Sequence, residues 1–169
     1  KDDQVIIFSN TKRMVDLLVQ RLDRHKFSAT GLHGDMAQNK RERIINHFRE
    51  GKTKVIIATD VAARGLDVDG VTMVINYDIP DDSESYVHRI GRTGRMGRKG
   101  TAWSFVSGED APNMTKIIST WNMVIEEVEA PELPDGVSRD PVRKQMDWGE
   151  SADVFGMVPI RLCTSETSK

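Results

Sequence analysis

The chain has 169 residues, with 24 Lys and Arg against 26 Asp and Glu and a formal net charge of -2. That length fits one domain with a tail, long enough to bury roughly 70% of its unfolded surface without disulfide or metal staples. Hydrophobic residues at 38% and charged residues at 30% describe a soluble globular chain. The single cysteine, Cys163, excludes an internal disulfide framework and a cysteine-rich zinc site, and no apolar run approaches the ~20 residues that span a bilayer. The start, Lys1-Asp2-Asp3-Gln4, has no initiator Met and no signal-peptide character. It leads straight into a strand-like stretch, so a piece of a longer cytoplasmic protein, with no membrane partner, is expected.

In chain order, the apolar period alternates between strand and helix. Val5-Ile6-Ile7-Phe8 is a continuous, β-branched run of the kind that suits a strand covered on both faces. Met14, Leu17, Leu18 and Leu22 then form one helical stripe, with Ser9 or Asn10 as its expected cap. Ile44, Ile45 and Phe48 mark a second helix, stopped by Gly51. Val55-Ile56-Ile57-Ala58 and Met73-Val74-Ile75 are two further buried strands. Pro80 with Asp81, Asp82 and Ser83 ends a strand and opens a third helix. Ala102 to Val106 reads as a late strand, and Met114, Ile117, Ile118 and Trp121 as the core stripe of a closing helix. Beyond residue 130 the pattern fades into a polar stretch punctuated by Pro and Gly, whose apolar patch spans residues 154–158. The expected architecture is therefore an α/β domain over residues 1–130, a parallel sheet with helices on both faces, followed by an extension over residues 131–169. In such sheets ligands gather at the carboxyl ends of the strands. Attention falls on Ser9-Asn10-Thr11, His33-Gly34-Asp35, Thr59-Asp60 and Asn76-Tyr77-Asp78.

The most unusual segment is residues 88–100. Arginine recurs at 89, 92, 95 and 98, glycine at 91, 94, 97 and 100, and no acid interrupts them. On a helix each step of three drifts the face by about 60°, so two adjacent arginines can converge on one ligand but four cannot. The planar guanidinium suits phosphate and glycine admits close backbone approach. The plainer alternative is a solvated basic loop. A second cluster, residues 58–67, follows a buried strand: Thr59 offers a hydroxyl to a phosphate oxygen, Gly65 a tight turn, and Asp67 an acceptor for a ribose hydroxyl or, more plainly, a helix cap. A third is His33-Gly34-Asp35 with Gln38 and Arg41, which share a face at a helix start where backbone N–H groups favour anions. A merely solvated helical face is the alternative there.

The absences are equally informative. The sequence has no Gly-x-x-x-x-Gly-Lys-Ser/Thr loop to cradle a triphosphate, and no Asp-Glu pair after a strand to hold its Mg²⁺. His25, His33, His47 and His88 lack metal-ligand spacing, so no metal site is expected.

Taken in order, VIIFSNT (5–11), LHGDMAQNKR (32–41), ATDVAARGLD (58–67), VINYDIP (74–80) and YVHRIGRTGR (86–95) resemble the C-terminal RecA-like domain of a DEAD-box ATP-dependent RNA helicase. His88 opening the arginine motif favours DEAD-box over related superfamily 2 helicases, and residues 77–95 further resemble cold-shock enzymes of the DeaD type. The resemblance implies that two RecA-like domains close over ATP and single-stranded RNA. The N-terminal RecA-like domain, absent here, would supply the phosphate loop and the ligands of Mg²⁺. This half would supply Arg92 and Arg95 to the γ-phosphate, Asp67 to the ribose and Gly65 to the shape of that loop. His88 would link the two domains. Thr11, Gly34, Gln38, Arg41 and Thr59, with Lys12 and Asp35 as lesser contributors, would lie along the RNA backbone, reading phosphates and 2′-hydroxyls rather than base edges. The competing expectations are a non-enzymatic RecA-like module that binds RNA or protein, and a DNA-directed superfamily 2 helicase.

Overall fold

A computed structural model describes residues 3–66, 68–95, 98–128 and 158–162. The elements in chain order are β1 (Gln4–Phe8), α1 (Lys12–Arg24), β2 (Thr30–Leu32), α2 (Gln38–Arg49), β3 (Val55–Ala58), α3 (Asp60–Ala63), β4 (Val71–Asn76), α4 (Ser83–Ile90), β5 (Thr101–Val106), α5 (Ala111–Trp121), β6 (Ile125–Glu127) and β7 (Val158–Leu162). They build one sheet in the order β2-β3-β1-β4-β5-β7-β6. The first five strands are mutually parallel, whereas β7 runs antiparallel to both β5 and β6. Residues 158–162 come from the stretch expected to be a polar extension. They enter the sheet between two strands that precede them by more than thirty residues. The 154–157 part of the apolar patch and Cys163 lie outside the described residues.

The pleat sends alternate side chains to opposite faces. Ile6, Phe8, Ile56, Ala58 and Val74 pack with Ile44 and Phe48 of α2, Tyr86 of α4, and Met114 and Ile117 of α5. Ile57 and Ile7 meet Val15 and Leu18 of α1 on the other face. Helices therefore cover both faces, as expected. The phase of α1 differs from the expected stripe: Val15 and Leu18 are the buried pair, while Leu17 lines an open surface groove with Lys12, Asp16 and Asp35. The reason is β2. A Cβ on Gly31 would stand 3.2 Å from Val15 Cγ1 and 3.3 Å from Val19 Cγ2, so the missing side chain on the strand admits two β-branched residues of the helix. Trp121 also departs from expectation. It sits in the last residue of α5, is 46% exposed, and precedes Asn122, whose left-handed backbone (φ 49°) turns the chain away before the ring reaches the core.

Caps follow local chemistry. Gly51 (φ 71°) stops α2 as its sequence suggested. The cap of α1 is Thr11 rather than Ser9 or Asn10, its hydroxyl accepting from Met14 N at 3.2 Å. Ser9 is unavailable because it is buried and donates to Asp78 Oδ2 at 2.5 Å. Asp82 caps α4, accepting from Ser85 N at 2.7 Å, and its hydrogen bonds with Ser85 hold the carboxyl below the usual aspartate range. A depressed folded-state value means that the stabilisation is present above the unfolded pKa of about 4 and is lost as pH falls through the lower folded value. Asp82→Ala is expected to cost about 1 kcal/mol at neutral pH. Thermal unfolding of Asp82→Asn should show a flatter acid limb than the parent below about pH 4; an unchanged limb would assign the acid sensitivity elsewhere.

Candidate nucleotide and nucleic-acid interface

The register of the sheet aligns the strand ends. Leu32 pairs with Ala58, Ala58 with Phe8, and Phe8 with Asn76, so four parallel strands terminate in one row. Neighbouring strands lie about 4.8 Å apart, which sets the loops that follow them side by side along one edge. Backbone bonds lock the row: Ser9 N donates to Ala58 O, Thr59 N to Leu32 O, and Tyr77 N to Phe8 O.

The residues expected to follow RNA fall into this row or beside it. Thr11 opens α1, and Gly34 and Asp35 follow β2. Lys12 Nζ contacts Asp35 at 2.6 Å, and hydrogen bonding to that ammonium holds the Asp35 carboxyl below its ordinary range. Both groups are exposed, so the pair is easily exchanged for other partners. Gly34 is exposed, has no left-handed φ, and a Cβ there would meet nothing within 4 Å. Thr59 is buried and precedes α3. Arg41 Nη2 reaches from α2 to Ala62 O at 3.0 Å, joining the third cluster to the second. Gln38 opens α2 and donates to Glu42 at 2.9 Å, and the cap position Ala37 contributes no side-chain acceptor to that helix start.

The arginine segment is bound to the rest of the domain by its own donors. Helix α4 ends at Gly91, and the following loop docks on residues 66–71: Arg92 Nη1 donates to Leu66 O at 3.1 Å, Thr93 Oγ1 to Val71 O at 2.9 Å, and Arg98 Nη1 to Asp69 O at 3.0 Å. Arg95 Nε turns back to Gly91 O at 2.8 Å. The glycine period has separate local causes. Gly94 adopts φ 70°, and a Cβ on Gly100 would stand 2.3 Å from Gly94 N, so the loop can close only without side chains there. Gly65, in the segment against which Arg92 docks, has φ 82° and open space around it. The structure thus brings Arg92 beside the Gly65 turn. Asp67 lies outside the described residues. His88 is exposed in the last turn of α4.

Arg89 is different in kind, and the periodic reading of the segment did not single it out. It is 1% exposed. Its Nε and Nη2 grip Asp60 Oδ1 and Oδ2 at 2.7 Å each, Nη1 donates to Asp78 O at 2.7 Å, and Nη2 also donates to Asn10 Oδ1 at 2.7 Å. The guanidinium carbon lies 5.3 Å from the centre of the Phe8 ring. Asn10 N in turn donates to Asp78 Oδ2, and Asn10 Nδ2 to Ile79 O. A buried guanidinium with this many partners is compensated; removing the carboxylate that faces it costs about 3–5 kcal/mol. The usable signal was the 60° drift itself, which puts the first arginine on the core face with Tyr86 three residues earlier.

Among the described residues no helix is long and apolar enough to cross a membrane, and no group of three His, Cys, Asp or Glu is placed to hold a metal ion.

A mostly parallel sheet covered on both faces, with its polar loops in one row at the carboxyl ends, defines a RecA-like α/β domain. The sequence matches the family described as helicase conserved C-terminal domain over residues 1–97, and the chain belongs to it. It is 49% identical over 122 residues to the ATP-dependent RNA helicase FAL1 of Kluyveromyces lactis, covering 72% of this chain and 31% of that protein. It is 48% identical over 132 residues to the DEAD-box ATP-dependent RNA helicase CshA of Bacillus cereus, covering 78% of this chain and 25% of that one. Among solved structures, Dbp5 of S. cerevisiae bound to RNA and ADP BeF3 superposes with a TM-score of 0.66 at 44% identity, covering 69% of this chain and 32% of Dbp5. The chain is therefore a DEAD-box helicase C-terminal domain, and it spans about a quarter to a third of the length of these relatives.

Proposed function

We propose that this chain is the C-terminal half of a cytoplasmic ATP-dependent RNA helicase, working with an N-terminal RecA-like domain of the same full-length protein. The observation that carries the proposal is the shared edge: the strand-end loops with Thr11, Gly34 and Thr59 stand in one row, and the arginine loop is docked on the Gly65 turn of the same domain. Single-stranded RNA would run along Thr11, Lys12, Gly34, Asp35, Gln38, Arg41 and Thr59 through its phosphates and 2′-hydroxyls, with little sequence preference. ATP would bind between the two domains, with Gly65 and Asp67 at its ribose side and Arg92 and Arg95 at the γ-phosphate. Mg²⁺ would be held by the N-terminal domain, since this sequence carries no Asp-Glu pair, in that order, after a strand. His88, exposed on α4, would meet that domain. Closure would bend one RNA strand, which a duplex cannot follow, so short duplexes would open locally and hydrolysis would release the product. On this reading residues 1–130 are the helicase half and residues 131–169 an extension that adds β7.

The test compares two proteins. The isolated chain is expected to hydrolyse ATP at background rate with or without RNA, whereas the full-length protein should show RNA-stimulated hydrolysis, stronger with RNA than with single-stranded DNA. A full-length protein without stimulation would favour a pure binding module, and equal stimulation by DNA a DNA-directed helicase.

A further inference from the structure

The buried Arg89 cluster joins segments that the proposed function uses separately. Asn10 immediately precedes Thr11, just beyond β1, and Asp60 immediately follows Thr59, just beyond the neighbouring β3; both bind the same guanidinium. The third arm holds Asp78 O, just beyond β4. The main chain completes the link, because Arg89 O accepts from Arg92 N at 3.1 Å in the turn that launches the arginine loop. One side chain thus fixes where two strand-end loops sit relative to Arg92 and Arg95. A guanidinium is suited to this because it is planar, always charged and presents five donors in a rigid fork.

We propose that Arg89 is the positioning residue that couples the RNA-binding edge to the arginine loop, so that engagement of RNA by Thr11 and Thr59 sets Arg92 and Arg95 for the nucleotide. The inference rests on the proposed helicase reading and assigns it a mechanism of regulation. Arg89 itself touches neither RNA nor ATP. If RNA tightens the Asn10–Thr11 and Thr59–Asp60 segments against the fork, the end of α4 is pulled into one register. Without the fork, the segments fold but move independently.

Two substitutions in the full-length protein test this. R89K keeps the charge but offers one ammonium that cannot span Asp60, Asp78 and Asn10 together. N10A removes one arm of the fork, together with the Asn10 Nδ2 bond to Ile79 O, and leaves the pair with Asp60 intact. Loss of one charge-assisted bond corresponds to about tenfold in an equilibrium, so N10A should raise the half-activating RNA concentration about 3- to 10-fold. R89K should raise it by more than about 10-fold and also lower the RNA-saturated rate. Assays run well below each variant's unfolding midpoint, checked by circular dichroism, so that a purely structural defect leaves both readouts unmoved. The double variant should cost little more than R89K alone, because both act through one contact. The proposal is overturned if folded variants keep a half-activating RNA concentration within about twofold of the parent, or if the two effects add fully. Should R89K fail to fold, N10A decides alone by the same criterion. Failure of the helicase reading is seen separately, as a parent protein that RNA does not stimulate.

Discussion

Arg95→Ala in the full-length protein is expected to reduce RNA-stimulated ATP hydrolysis by about 10³- to 10⁵-fold, the range seen when an arginine finger is removed from a phosphoryl-transfer site. The argument is electrostatic. Negative charge spreads over the equatorial oxygens of the phosphoryl group in flight, and a preorganised cation outside bulk water stabilises that charge more than the ground state. Arg95 sits in the loop after α4, at an exposed bond to Gly91 O that a phosphate oxygen can replace. Arg92 differs, since its Nη1 donates to Leu66 O, which fixes it beside the Gly65 turn. Arg92→Ala should therefore lose hydrolysis comparably and also loosen the loop, visible as faster proteolysis near residue 66. Lysine should rescue neither, because a point charge cannot replace the fork. ATP affinity measured without RNA should stay close to that of the parent for Arg95→Ala, since the proposed arrangement puts the phosphate loop on the N-terminal domain. Normal turnover in Arg95→Ala would remove the finger role.

How much of this was legible in the sequence depends on how local the cause is. The strands β1, β3 and β4 announce themselves, because a strand covered on both faces must be apolar at every position. β2 does not: Thr30-Gly31-Leu32 has no apolar run, and its place is fixed by pairing with β3 and by the glycine that receives Val15. The same cause rotated the α1 stripe from Leu17 to Val15, a tertiary fit that no periodicity encodes. β7 was illegible for a related reason. Its partners lie in β5 and β6, more than thirty residues earlier, and its short run sits among prolines and glycines. At the site, the residue types and their order pointed to the row of strand ends, but spacing alone treated four arginines as equivalent. Burial separates them. Arg89 goes inward to Asp60, while Arg92 and Arg98 tie the loop to carbonyls of residues 66 and 69.

Gly34 offers the second large effect, and it separates binding from folding. A glycine is normally required by a left-handed φ or by a neighbour that leaves no room for Cβ. Neither holds here: Gly34 is not among the residues with positive φ, and the space around its missing side chain is open to 4 Å. Folding of the isolated domain therefore gains nothing from glycine at this position. On the proposed helicase reading the open backbone is where RNA approaches, since its path passes there, beside Thr11 and Asp35. Gly34→Val should leave the thermal midpoint of the domain within the range of ordinary surface changes, about 0.5 kcal/mol. It should weaken binding of single-stranded RNA to the full-length protein, measured with a non-hydrolysable ATP analogue, by at least about tenfold, the equivalent of one lost hydrogen bond plus displaced contacts. Gly34→Ala should fall between the two. A branched side chain that lowers stability but not RNA affinity would show that the strand-end row is a packing feature and that the nucleic acid runs elsewhere.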